Sequence, residues 1–181
     1  GNGFGTGRKS IGLDPRTGKV QERPFGNLGN VKPGNYAKSL YDFVDGVFAP
    51  AEGETQISST GLKATGLPAN GGMAWDMIRN GPVASQHSTK WGGVDYTKGG
   101  HTMLGLHANA GITFDLAAIR KATGIHGLRF GTVVGYGGVT VQPSAEFRVL
   151  LDGKLTAHKR IGRKDAVPVQ FDIPESARFL T

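Results

Sequence analysis

The sequence holds no cysteine, which excludes a disulfide frame, a thiolate metal site and a cysteine nucleophile. Stability therefore has to come from packing, with any structural metal held through oxygens. No apolar run approaches the roughly 20 residues needed to span a bilayer, so no membrane insertion is expected. The opening GNGFGTGRKS lacks the pattern of a signal peptide, and an export signal is expected to lie outside the chain. Phosphate and nucleotide loops are missing too. In GLDPRTGK the spacing from Gly12 to Gly18-Lys19 is one residue too long, Pro15 interrupts it, and Val20 stands where a hydroxyl is needed. The glycines at 3, 5 and 7 follow no strand and do not form G-x-G-x-x-G. No serine sits in a G-x-S-x-G elbow, and no histidine stands in an HExxH context.

Glycine is abundant instead: 30 of 181 residues, with 9 prolines, a mixture that favours short strands joined by many turns over helices. The net charge of +7 raises the question of a polyanionic partner. The cations are scattered, however. Only Lys159-Arg160 with Arg163-Lys164 cluster, beside the pair Arg8-Lys9, and no aromatic residue interleaves the former as base stacking requires. Nucleic acid is therefore not expected as a partner.

Residues 1–35 are rich in Gly, Pro, Asn and Lys, with apolar residues too sparse for any period, and read as a linker or extended arm. Residues 36–181 carry the domain. Tyr36, Leu40, Phe43 and Val44 recur at helical spacing, with Asn35 as N-cap and Asp45-Gly46 as the stop, which predicts a short helix. TQISSTGL reads as a strand. Ile112, Phe114 and Leu116 alternate with polar residues, and Asp115 caps a helical turn, LAAIRKAT, stopped by Gly124. Strands follow from His126 to Tyr136, through Phe147, Val149 and Leu151 to an Asp152-Gly153 hairpin turn, back from Lys154, through Val167 to Ile173, and from Arg178. This spacing predicts an all-β, antiparallel sandwich with one or two short helices.

Paired carboxylates for glycoside hydrolysis are not evident, because Asp76, Asp95, Asp115 and Asp152 each read as turn, cap or surface residues. The chain is therefore expected not to be an enzyme. The aromatics Trp75, Trp91, Tyr96 and Tyr136 fall in or beside loops, where a sugar's CH face packs on rings while its hydroxyls need fixed polar partners. Asn80, Gln86, His107 and Asn109 supply such partners. His107 precedes a strand at an expected sandwich rim, although a purely structural histidine is an equal reading. Trp75 also reads as a core plug between the sheets. Asp45, ahead of Gly46, reads either as a calcium ligand with nearby carbonyls or as a plain turn residue.

Taken together, the runs WDMIRNGP at 75–82, GVDYTKGG at 93–100, GLHANAGITFDL at 105–116 and FRVLLDG at 147–153 resemble the NPCBM type of galactose-binding-like domain. The resemblance covers residues 41 to 181. It implies a jelly-roll sandwich that binds galactose-type or related glycans as an appendage of a larger bacterial protein, secreted to the periplasm, the cell surface or beyond. The His-Ala pair is its most specific element, carrying His107 and, by proximity, Asn109 into the site. Trp75 and Gly81-Pro82 match the framework. The stretch LYDFVDG at 40–46 resembles the opening of such modules, where a structural calcium often sits, although no cofactor is required. Family members usually continue beyond the strand near Phe179, so an unpaired edge is expected there.

The sequence thus points to a carbohydrate-binding module with His107, Asn109, Gln86, Asn80, Trp75 and Tyr136 around the sugar, Asp45 at a metal, and other domains of a parent protein as neighbours. The alternative is a structural or protein-interaction sandwich using the basic arm and an open C-terminal edge.

Overall fold

The computed structural model describes residues 11–13, 20–22, 33–71, 78–80, 87–96, 98, 101, 103–138 and 142–181. Strands dominate and the pairing is antiparallel throughout, as the turn-rich, alternating sequence requires. Within the segment read as an arm, β1 (Ile11–Leu13) and β2 (Val20–Glu22) pair as a small hairpin.

The main sheet has six strands. In spatial order they are β14 (Lys154–Gly162), β13 (Ser144–Leu151), β16 (Phe179–Leu180), β11 (Gly111–Asp115), β4 (Val44–Phe48) and β3 (Tyr36–Lys38). Its first hairpin overturns the helix expected from Asn35. Tyr36 pairs with Phe48 and Ala37 with Val47, so the chain doubles back as strands. Helical spacing lost to tertiary pairing because β4 is buried along its whole length, and only a strand lets it bond β3 on one side and β11 on the other.

Between Gly46 and Val44 the register against β11 slips by one residue, leaving Asp45 as the extra residue of a bulge. The slip restores the phase: Val44 and Val47 face the same cluster as Ile112, together with Tyr41, Ala49 and the fully buried Ile78 of β7 (Ile78–Asn80). Gly46 is required at this point, because the Tyr36 ring lies where its Cβ would be. The opposite side of the sheet is covered by the β5 (Glu54–Gln56) and β6 (Lys63–Thr65) hairpin, where Phe48, Ile57, Ala64 and Leu150 pack together.

Asp115 caps the eight-residue helix α1 (Leu116–Thr123) by accepting from Ala118 N at 3.0 Å, and Gly124 ends it in the left-handed region at φ 70°. Both follow the sequence reading. Beyond it, β12 (Leu128–Gly135) pairs with β15 (Ala166–Ile173) along eight residues of each. Leu128, Phe130 and Phe171 of this ladder pack on Leu116, Val149, Ile173, Ala177 and Leu180, so the ladder covers the β13–β16 end of the six-stranded sheet. The Phe130 and Phe171 rings stack with centroids 5.1 Å apart.

The Asp152-Gly153 turn is formed as expected, with φ of 46° and 78°. Its carboxylate also accepts from Phe179 N at 2.8 Å and Arg178 N at 3.1 Å, which fixes the start of β16. The expected open C-terminal edge does not exist. β16 is inserted between β13 and β11, bonded to both, and Thr181 exchanges backbone hydrogen bonds with Leu150 at 2.9 and 2.8 Å. Phe179 and Leu180 are buried, and that burial is what draws the segment into the sheet interior. No helix among the described residues is long and apolar enough to cross a membrane.

Candidate functional site

The two glycines of Trp91-Gly92-Gly93-Val94 adopt φ of 56° and 82° and join β8 (Lys90–Trp91) to β9 (Val94–Asp95) through a two-residue turn. Tyr96 N donates to Thr89 O at 3.0 Å, extending the ladder and holding Tyr96 beside Trp91. The rings of Trp91 and Tyr96 lie 6.1 Å apart at 51°, and those of Tyr96 and His101 lie 5.3 Å apart at 57°. These are tilted contacts of the kind aromatic rings prefer. Trp91 is buried, Tyr96 is half-buried and His101 is exposed, so the series runs from core to solvent.

Trp91 is held from its far side by the chain leaving β12. A Cβ on Gly135 would enter the indole, and one on Gly137 would come within 3.2 Å of Ser88 O and 3.6 Å of the His87 Cβ. Only glycine lets the 135–138 segment lie this close to the Trp91 face. Tyr136 projects from between these two glycines and is half-buried; its ring occupies the space a Cβ on Gly138 would need.

His87 is half-buried beside this segment, and burial holds its imidazole below the usual 6.5, with the nearby His107 charge adding to the effect. His107 follows β10 (Leu104–Leu106), whose Leu104 and Leu106 are 42% and 37% exposed, and so adjoins apolar surface. The Nδ1 of His107 lies 3.4 Å from Ala108 O, a long contact that leaves the ring weakly fixed. The Trp91, Tyr96 and His101 rings and His87 thus gather around the β8–β9 hairpin and the 135–138 segment, and His107 lies near enough to His87 for its charge to be felt.

The sequence-predicted residues divide. Tyr136 is carried by the 135–138 segment, and His107 lies within electrostatic reach of His87. Asn109 sits in the adjoining turn at φ 58°, and its amide donates to Ala69 O at 2.7 Å, which makes it a tether between loops. Asn80 ends β7 opposite Leu104, with its side chain outside the described residues, and Trp75 and Gln86 lie outside them entirely. His87 and His101 were missed; their only sequence signal is proximity to Trp91 and Tyr96, which becomes contact once the Gly-Gly turn forms.

Asp45 is far from a metal centre in character. Its carboxylate accepts from the Tyr36 hydroxyl at 2.8 Å, from Ser59 N at 2.6 Å and from the Ser59 hydroxyl. Burial and this carboxylate push the Tyr36 phenol far above its ordinary value. A calcium ion needs six to eight oxygen ligands, whereas the groups around Asp45 aim hydrogens at it, so these residues do not fit one. Among the described residues no three His, Asp or Glu side chains converge as a metal set.

Comparison with protein families, with curated proteins and with solved structures returns no match for this chain.

Proposed function

We propose that the chain is a non-catalytic carbohydrate-binding module of the NPCBM type, recognising galactose-type or related glycans as one domain of a larger secreted bacterial protein. The observation that carries this reading is the graded Trp91–Tyr96–His101 ring series, with the Trp91 indole locked by Gly135 and Gly137. A pyranose offers CH groups on one face and hydroxyls on its rim. The rings suit the former, and the imidazoles of His87, His101 and His107, each able to donate or accept, suit the latter. Rigid backing matters because a side chain already fixed loses little entropy when ligand arrives. Trp91 serves as the buried support, and Tyr96 and Tyr136 are the contact rings.

A glycan array followed by calorimetry tests this. Binding by the wild-type chain that is lost in Tyr96→Ala and weakened in His107→Ala, with both variants folded, is the expected result. Silence across a broad array, together with concentration-dependent self-association, would replace the sugar-binding reading with that of a structural or interaction domain. Hydrolysis of any arrayed glycan would make it an enzyme.

A further inference from the structure

β14 is an outer strand of the six-stranded sheet, and the stretch from Lys154 to Lys164 carries five Lys or Arg residues with no Asp or Glu. Lys154, Lys159, Arg160, Arg163 and Lys164 are all exposed. Cross-strand pairing places His158 opposite Arg148 and Arg160 opposite Glu146, so these four share one solvent face of the β13–β14 ladder. Glu146 is the acid facing this stretch across the ladder, and it is already committed. Its Oε2 lies 2.7 Å from Arg148 Nη2 and 3.2 Å from His158 Nε2. Arg160 is held by its Nε donating to the Ser144 hydroxyl at 3.0 Å, and Arg163 by its Nε donating to Gln142 O at 3.3 Å. In both, the tether uses the Nε–H. Asp165, next along the chain, is engaged with Gly162 N at 2.6 Å.

From this arrangement we infer that the β14 edge and the turn after it form a second binding surface, for a linear acidic polysaccharide bearing sulfate or uronate groups. Lys159 pairs with Phe147 and so projects to the other face from Arg160; with Arg163 and Lys164 these cations flank one end of the strand edge, and Lys154 lies roughly 16 Å back along it, an extended arrangement that matches a chain of repeated anions better than a single phosphate. Arginine forks pair with sulfate and carboxylate oxygens in two-point geometry. Nucleic acid would add little here, since no Phe, Tyr or Trp lies between 154 and 164 to stack on bases. The surface uses other side chains than the ring series around Trp91, but its turn leads into Ala166, which pairs with Gly135 and adjoins Gly92, so the test has to tell the two apart.

The test uses heparin and polygalacturonate as probes, with duplex DNA and anionic phospholipid vesicles alongside. The triple variant Lys159→Gln, Arg163→Gln, Lys164→Gln changes only exposed positions and gives up one side-chain bond, Arg163 Nε to Gln142 O. A control triple, Lys38→Gln, Lys63→Gln, Lys121→Gln, removes the same charge elsewhere. Heparin or polygalacturonate affinity at roughly 0.1 M salt should fall about tenfold in the first variant and less than about twofold in the control, with a salt slope shallower by about 2 in the first. Equal losses in both triples would overturn the inference by showing that net charge alone is read. So would tighter binding of DNA or vesicles than of both polysaccharides, or no saturable binding of either. Unchanged polysaccharide binding in Tyr96→Ala is expected, which separates this surface from the proposed sugar site.

Discussion

Asn70 and Asn109 clasp each other's loops: the Asn70 amide donates to Asn109 O at 2.6 Å, and the Asn109 amide donates to Ala69 O at 2.7 Å. The pairing spans 39 residues of chain and lets Asn109 hold a left-handed φ of 58° that few side chains accept. It fixes the turn that follows His107. A residue chosen from the sequence as a sugar contact is therefore engaged in tying two loops together.

Replacing Asn109 separates its two contributions. Asn109→Gly keeps the backbone conformation and loses the amide bond, while Asn109→Ala loses both. Urea unfolding should show a loss of about 1 kcal/mol for the glycine variant and about 2–3 kcal/mol for the alanine variant. Equal losses would mean that the left-handed backbone is not what asparagine is there to hold.

Asp45 anchors the bulge of β4 by accepting from Tyr36 and Ser59. Asp45→Asn keeps the shape but turns an amide N–H toward one of those donors, leaving two donors face to face. The expected cost is about 2–3 kcal/mol, read as a fall in the thermal midpoint of roughly 6 °C for a chain of this size. A midpoint within about 1 °C of wild type would show that the cluster is not a structural hub.

The Gly135 backbone lies against the Trp91 indole with no room for a methyl group. Gly135→Ala should cost about 1–3 kcal/mol in urea unfolding through overpacking, shift tryptophan emission to the red as the indole moves toward water, and weaken glycan binding. Gly131→Ala, where a Cβ meets nothing nearby, is the matched control and should leave emission and binding unchanged.

The half-buried His87 gives stability a pH dependence. Its folded pKa lies below the 6.5 of the unfolded chain, chiefly through burial. Between the two values the unfolded state binds more protons, so stability is full above about pH 6.5 and declines as pH falls toward the folded pKa. Denaturation midpoints taken from pH 8 to pH 5 should decrease on the acid side, and His87→Gln should flatten that decrease. An acid limb of the same slope in the variant would assign it to other groups.

Much of the second half of the chain was legible because its signals are local. The alternation at Ile112 and Phe114, the Asp115 cap, the Gly124 stop and the Asp152-Gly153 turn each act within a few residues, and each formed as read. The stretch around Val44 misled because its apolar spacing satisfies a helix, while the partners that make it a strand, β3 and β11, include one more than 60 residues away. The ring cluster around Trp91 was legible only as a list of candidates. Aromatic and imidazole side chains near glycine-rich turns could be named, yet only the approach of the 135–138 segment to Trp91 decided which ones meet.

By itself the sequence determined an antiparallel, turn-rich β protein, the absence of thiol chemistry and the placing of its densest cations between 154 and 164, since composition, periodicity and turn chemistry are properties of neighbouring residues. The tertiary structure alone decided that Phe179–Leu180 enters the middle of the sheet, that Asp45 serves hydrogen bonds and that Trp91 lies under Tyr96. Those outcomes depend on burial and pairing between distant segments, which no local pattern encodes.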